Sequence, residues 1–302
     1  MVGDAVLLMA YGTPSSEDEI APYLADIRHG RPSRPEIVEK LKQRYRKIGG
    51  RSPLLEITNA QASALQKELN ANREVGKVHV GMKHWHPYIH EVVPQILRDN
   101  PNRIIALVLA PHYSQMSIEG YKEALVKALS NSSSVQVDFV ESWYDNPLFH
   151  QAVAEKVRDA LRKFPSSEKV EVVFTAHSLP ERILDLNNPY PSQLQASSRT
   201  VANLVGLRKW SFAYQSAGMT SVKWLGPDIL EKLGSYSTGE NVLVVPIGFV
   251  ADHLEILYDI DVEAQEFAKD RGLRLIRTES LNTSRTFIQA LADVVKRRLE
   301  TS

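Results

Sequence analysis

Two stretches of this chain, Ala5-Val6-Leu7-Leu8-Met9-Ala10-Tyr11-Gly12-Thr13-Pro14 and Val170-Glu171-Val172-Val173-Phe174-Thr175-Ala176-His177-Ser178-Leu179-Pro180, repeat one pattern. Each is an apolar, β-branched run that ends in Ala, a side chain able to bind a metal, turn-prone residues and Pro. Such a run bounded by a turn signal reads as a buried parallel strand. In open α/β sheets ligands bind beyond the carboxyl ends of the strands. Tyr11 and His177 therefore stand where chemistry is placed, one in each half of a duplicated protein.

Outward from these runs, apolar segments alternate with amphipathic charged ones, the pattern of a parallel sheet with crossover helices. Strands are expected at 4–10, 77–82, 103–110 and 135–141, then at 169–175, 210–214, 241–247 and 273–276. Helices are expected at 35–48, 59–72, 89–99, 117–130, 148–163, 193–205, 225–234, 251–269 and 284–300. The fold class is α/β: two Rossmann-like domains, each a four-stranded parallel sheet flanked by helices, related as an internal duplication. The first domain is expected over 1–150 and the second over 151–283. The last helix, about 284–302, is expected to pack back on the first domain.

Composition narrows the function. The 302 residues carry 36 basic and 36 acidic side chains, so the formal charge is zero, which argues against general nucleic-acid affinity. There is no cysteine, which excludes thiolate metal sites, Cys-ligated iron–sulfur clusters and cysteine nucleophiles within the chain. No apolar stretch reaches the roughly 20 residues a spanning helix needs. No secretory or transit segment is expected before the first strand. Peripheral contact is the most a membrane could make, and the cytoplasm is the expected compartment. Gly-rich phosphate fingerprints are absent: no GxGxxG follows the first strand and no Walker loop appears.

Three groups of residues could carry chemistry. A lone His at a strand end is ordinarily a hydrogen-bonded structural residue, but the turn residues around His177 expose it at the ligand edge. The second group lies in Gly248-Phe249-Val250-Ala251-Asp252-His253-Leu254-Glu255-Ile256-Leu257-Tyr258-Asp259-Ile260-Asp261-Val262-Glu263. Read as a helix with Asp252 near its N-cap, it stacks Glu255, Asp259 and Glu263 on one face at i, i+4, i+8. That row is either a solvated acidic stripe or a path for a divalent cation with Glu255 at its inner end. On a helix His253 and Glu255, two apart, cannot share a face. A carboxylate with an imidazole and open positions suits Fe²⁺ or Zn²⁺. Four closed ligands of a structural zinc site are missing, so a transient metal is expected and no resident cofactor.

The third group is basic. Between residues 28 and 51 stand Arg28, Arg31, Arg34, Lys40, Lys42, Arg44, Arg46, Lys47 and Arg51, opposed by Glu36 and Glu39. Arg34, Lys40 and Lys47 read as a solvated helix face. Arg28 and Ser52 lie at turn-like edges that suit a ligand with several carboxylates, held by Arg forks and hydroxyls. Ile27, Tyr11, Tyr45 and Tyr121 add flat or apolar surface. Pro227 and Asp228 read as ordinary helix-start chemistry.

These residues resemble a known family. Leu8 to Pro14, Tyr45 with Gly49 to Leu54, Leu109-Ala110-Pro111-His112-Tyr113-Ser114, Thr175 to Pro180, Tyr190-Pro191, Gln215-Ser216, Trp224-Leu225-Gly226-Pro227 and Gly248 to Glu255 occur in the order seen in ferrochelatases. The likeness runs from about residue 4 to about residue 300 and is nearest the soluble bacterial coproporphyrin III type. It implies a chelatase-like fold with a cleft between the two domains, and a lyase of haem biosynthesis that inserts Fe²⁺ into a porphyrin. It implies that His177 and Glu255 face the metal and that Asp259 and Glu263 continue the metal path. By the same likeness Tyr11 is the axial ligand to the product iron, and Ile27, Arg28, Arg44, Tyr45, Ser52 and Tyr121 join Tyr11 in contacting the porphyrin. Coproporphyrin III and ferrous iron are the expected partners, Zn²⁺ a surrogate metal, and a monomer the expected state. His29 stands where a second Arg is common, and Met219-Thr220-Ser221-Val222-Lys223 departs from the Pro-bearing loop of relatives.

Alternatives remain at this point: a protoporphyrin IX ferrochelatase, a cobalt or nickel tetrapyrrole chelatase, a non-catalytic porphyrin or haem carrier, and more distantly a Ser178 hydrolase. The residues leave open which of His177 and Glu255 accepts protons and which takes iron.

Overall fold

A computed structural model describes residues 3–70, 76–130, 135–166, 168–218 and 222–300. The chain divides into two compact units, Met1–Trp143 with Asn282–Ser302, and Tyr144–Leu281.

The first unit contains β1 (Ala5–Ala10), α1 (Ile20–Ile27), α2 (Pro35–Lys47), α3 (Leu54–Asn70), β2 (Val78–Met82), α4 (Ile89–Arg98), β3 (Arg103–Val108), α5 (Gln115–Leu129) and β4 (Gln136–Val140). The second contains α6 (Pro147–Leu161), β5 (Val170–His177), α7 (Tyr190–Val205), β6 (Ser211–Gln215), α8 (Ile229–Gly234), β7 (Asn241–Val245), α9 (Leu254–Leu257), α10 (Gln265–Asp270) and β8 (Arg274–Arg277). Helix α11 (Arg285–Glu300) returns to the first unit.

Both sheets are wholly parallel and share one strand order, β2-β1-β3-β4 and β6-β5-β7-β8. The order reverses beside the first strand of each sheet, which is the switch point where such sheets bind ligands. Tyr11 follows β1 and His177 ends β5, so each stands at that point of its own unit.

Burial on both faces explains the unbroken apolar runs. All six residues of β1 are buried. Ala5, Leu7 and Met9 pack with Ile104, Ala106 and Val108 of β3 against Ile89, Val93 and Ile96 of α4 and Ile118 and Leu125 of α5. In the second unit Val173, Ala213, Val242 and Val244 pack against Ile229 and Leu233 of α8 and Ile260, Ala264 and Ala268. Each Val, Leu, Ile or Met among them contributes about 1.5–3 kcal/mol by leaving water.

Several expected boundaries move, each for a local reason. Helix α1 has no counterpart among the expected helices. Its Pro22 falls in the first turn, where no amide donor is required. Helix α3 begins at Leu54 rather than 59, because Ser52 Oγ accepts from the Leu54 amide at 3.4 Å and starts it early. Helix α8 begins at Ile229 rather than 225. Asp228 is its N-cap, accepting from the Leu230 amide at 2.8 Å, while Glu231 accepts from the Asp228 amide at 3.2 Å. The expected helix at 251–269 is broken into α9, a π-helical stretch Asp259–Ala264, and α10. Residues 219–221 of the unusual loop lie outside the described residues.

Candidate functional site

In the second unit the site is built around His177. Its backbone is clamped from three sides. The Ser178 amide donates to Gln215 O at 2.7 Å, Ser178 Oγ to Leu225 O at 2.8 Å, and the Tyr190 hydroxyl to His177 O at 3.0 Å. The imidazole Nδ1 bonds the Ser178 carbonyl. A carbonyl only accepts, so Nδ1 carries the proton and Nε2 of the neutral ring keeps its lone pair. Burial holds the His177 pKa below the usual imidazole value. The Glu255 carboxylate and the Ser178 hydrogen bond pull it up, and His253 pushes it down. His177 is thus a neutral imidazole near pH 7 with one nitrogen ready to take a proton or a metal.

The loop after β7 presses on the end of β5. A Cβ on Gly248 would lie 2.5 Å from the Ala176 Cβ, so no larger residue fits there. That approach sets the Phe249 ring 6.5 Å from the His177 ring and 4.9 Å from that of His253. His253, not Asp252, is the N-cap of α9 and is extended, with φ −160°. The rule for residues two apart on a helix therefore does not govern it. His253 Nε2 lies 3.3 Å from a Glu255 carboxylate oxygen, and the two residues share one site, contrary to expectation.

The acids sort into two sets. Arg277 binds Asp261 through two contacts of 2.7 Å and meets Asp252 at 3.3 Å, and Ser280 Oγ donates to Asp252 at 2.7 Å. Those two carboxylates are structural. The other set is the expected row, Glu255, Asp259 and Glu263. Asp259 is buried and accepts from Ser216 Oγ. The solvated-stripe reading therefore fails for Asp259. Gln215 holds the near end of the row: Thr175 Oγ1 donates to its Oε1 at 2.8 Å, and its Nε2 donates to Glu255 O at 3.2 Å. Among the described residues no three His, Asp or Glu side chains converge into a closed metal cluster. Ser178 Oγ is buried on a backbone carbonyl, which removes the hydrolase reading.

In the first unit Tyr11 is 41% exposed, just past a strand that is wholly buried. Its ring packs on His84 with centroids 4.6 Å apart. The chain turns at Gly12, whose φ of +100° favours glycine and where a Cβ would lie 2.8 Å from the Trp85 amide nitrogen. Thr13 Oγ1 hydrogen-bonds the hydroxyl of buried Tyr45 at 2.8 Å. Tyr121 is a core residue with the Lys83 ammonium 5.2 Å above its ring, and burial raises its pKa. Ser52 is buried at the start of α3. Ile27 is half-buried at the end of α1, and Arg28 follows it, exposed. Arg44 is half-buried in the last turn of α2. His29, at φ 55°, turns the chain out of α1. Part of the basic segment is spent on ion pairs, Arg46 with Glu17 and Glu39, Lys42 with Glu17, and Arg51 with Glu56. Within this unit Tyr11 packs on His84, which in turn bonds Asp26, two residues that sequence reasoning gave no role. Their one signal was that Lys83-His84 is a polar pair just past an apolar run.

The ferrochelatase family model matches residues 3–299. The chain belongs to the ferrochelatase family. It is 43% identical over 297 residues to a ferrochelatase of Herpetosiphon aurantiacus, covering 96% of this chain and 97% of that one. It is 41% identical over 302 residues to a coproporphyrin III ferrochelatase of Geobacillus thermodenitrificans, with 97% and 95% covered. A coproporphyrin III ferrochelatase of Bacillus subtilis is 38% identical over 301 residues, with 97% of each chain covered. Among solved structures, SirB from Bacillus subtilis with Fe³⁺ matches at TM-score 0.58 and 14% identity, covering 98% of this chain and 95% of that one. CbiX, a terminal enzyme of sirohaem biosynthesis, matches at 0.54 and 7%, with 98% of both covered. These two similarities establish a chelatase fold for this ferrochelatase-family chain. No helix among its described residues is long and apolar enough to cross a membrane.

Proposed function

We propose that this chain inserts Fe²⁺ into coproporphyrin III, giving iron coproporphyrin III and two protons. The observation that carries the choice of porphyrin is the exposed Tyr11 at the end of β1, in a chain about 40% identical to proteins named coproporphyrin III ferrochelatases. Insertion needs a ring bent so that pyrrole lone pairs meet the ion, a route for two N–H protons, and loss of water from the metal. A protein that binds the bent ring better than the flat one lowers the barrier. His177 Nε2 accepts the pyrrole protons or meets the incoming iron. Glu255 partners it, and Asp259 and Glu263 deliver the hydrated ion. Tyr11 becomes the axial ligand of the product iron. Ile27, Arg28, Arg44, Tyr45, Ser52 and Tyr121 form the porphyrin-holding set, in which buried Tyr45 acts by fixing Thr13. Iron is substrate in this reading, no metal is resident, and Zn²⁺ replaces Fe²⁺ in an assay. The enzyme works as a monomer in the cytoplasm.

The test is purified protein with Fe²⁺ kept reduced and the two porphyrins offered side by side. Coproporphyrin III is expected to give the higher kcat/KM, and preference for protoporphyrin IX would overturn the choice. His177→Ala is expected to bind porphyrin yet metallate it about 10²–10⁴-fold more slowly. Wild-type turnover in that variant would remove His177 from the chemistry. Absence of any Zn²⁺ insertion by the wild type, read by fluorescence, would make the protein a carrier.

A further inference from the structure

We propose that Asp26 and His84 form a positioning pair that holds the Tyr11 ring ready for the product iron. The inference rests on the reading of Tyr11 as the axial ligand. A tyrosine just past a strand end, with two-fifths of its surface in water, has rotamer freedom that a metal ligand must lose. His84 restrains it twice. The His84 amide donates to Tyr11 O at 2.8 Å, and the His84 ring packs on the phenol ring at 4.6 Å with a 55° tilt. The neighbouring Lys83 amide donates to Ala10 O at 2.9 Å, so the loop after β2 runs along the end of β1.

His84 is itself held. It is buried, and its Nδ1–H donates to Asp26 Oδ2 at 2.9 Å. Asp26 also acts on the Tyr88 hydroxyl, one residue before α4, whose pKa is pushed up to about 12 by burial and by that carboxylate. Asp26 sits in the last turn of α1, directly before Ile27 and Arg28. One carboxylate thus ties together the end of α1, the loop after β2 and the ring of Tyr11. An imidazole oriented by a carboxylate is a recurrent way to fix a metal ligand from behind. Here the imidazole supports the ligand through ring contact and backbone. Ligand geometry held in advance in this way removes an ordering cost from the metal-bound state.

The experiment loads the protein with ferric coproporphyrin III and reads the phenolate-to-iron charge-transfer band, with thermal melting as the control for folding. The wild type is expected to show the band and Tyr11→Phe to lose it. His84→Ala is expected to lose most of it and Asp26→Ala to weaken it, the latter on a partly exposed side chain whose loss leaves the fold intact. His84→Phe keeps a ring at the same place and is expected to restore part of the band relative to His84→Ala. If Tyr11→Phe abolishes the band while His84→Ala and Asp26→Ala keep it whole, the positioning pair is refuted and the axial reading stands. If Tyr11→Phe keeps the band, the axial reading falls and the pair falls with it.

Discussion

His177 shows how much one hydrogen bond decides. Because its Nδ1 is committed to the Ser178 carbonyl, chemistry at this residue belongs to Nε2 alone. Burial lowers its pKa and Glu255 raises it. The neutral ring is the working form, so function is kept above the lowered pKa and lost as pH falls through it. Removing the Glu255 charge takes away the upward influence. Glu255→Gln is therefore expected to move the His177 titration, followed by NMR, to still lower pH. An unchanged midpoint would mean the two groups do not sense each other. Gly12 is a second residue with a single tolerated identity. Gly12→Ala forces a Cβ against the Trp85 amide at a positive φ. A loss of at least about 1–3 kcal/mol is expected in denaturant melts, from backbone strain alone.

The acidic segment is understood only as an element. In an α-helix four residues overshoot one turn, so a row at i, i+4, i+8 drifts around the axis. From Asp259 to Ala264 the helix is π, and the Glu263 amide donates to Tyr258 O, five residues back, at 2.9 Å. A turn closed at i+5 holds more than four residues, so a step of four now falls short of a turn and the drift reverses. The change of helix type between them is expected to keep Glu255, Asp259 and Glu263 in line. π-turns of this kind are frequent at functional sites. Asp259→Asn combined with Glu263→Gln is expected to raise the KM for iron well above any change in the KM for porphyrin. Equal shifts in both would return these acids to a structural role.

At the scale of the molecule, the second unit is inserted in the chain of the first. Helix α11 completes the first unit: Phe287 is fully buried and lies 6.2 Å from the Trp143 ring. Arg103, paired with Asp4 at 2.6 Å, donates to Arg298 O at 3.1 Å, and Gln61 donates to Asn282 O at 2.9 Å. Phe287→Ala removes a buried ring and is expected to cost about 3–5 kcal/mol. Hydrogen exchange should show protection lost in β1 to β4 while β5 to β8 keep theirs. Uniform loss across both sheets would show that the units unfold together. Helix α6 belongs wholly to the second unit, where it packs on α7 and β7.

All eight strands among the described residues, their parallel class and the two ligand-edge residues were legible in the chain alone, since apolar periodicity and turn chemistry are local properties. Tyr11 and His177 could be placed at strand ends because the runs before them are apolar on both faces. What no local pattern contains is which side chains meet across the sheet order. Residues 11, 26 and 84 come together only because β2 lies beside β1 and the end of α1 meets the loop after β2. The burial of Asp259 against Ser216, and the meeting of His253 with Glu255, depend on where a helix begins and where it changes type. The change of type falls where Ile260 and Ala264 of the π stretch pack with Ala213 of β6 and Ile229 and Leu233 of α8. Sequence thus determined the two sheets and the strand ends that carry chemistry. Tertiary structure decided how those ends are held, because hydrogen-bond partners distant in the chain are chosen by strand order and loop packing.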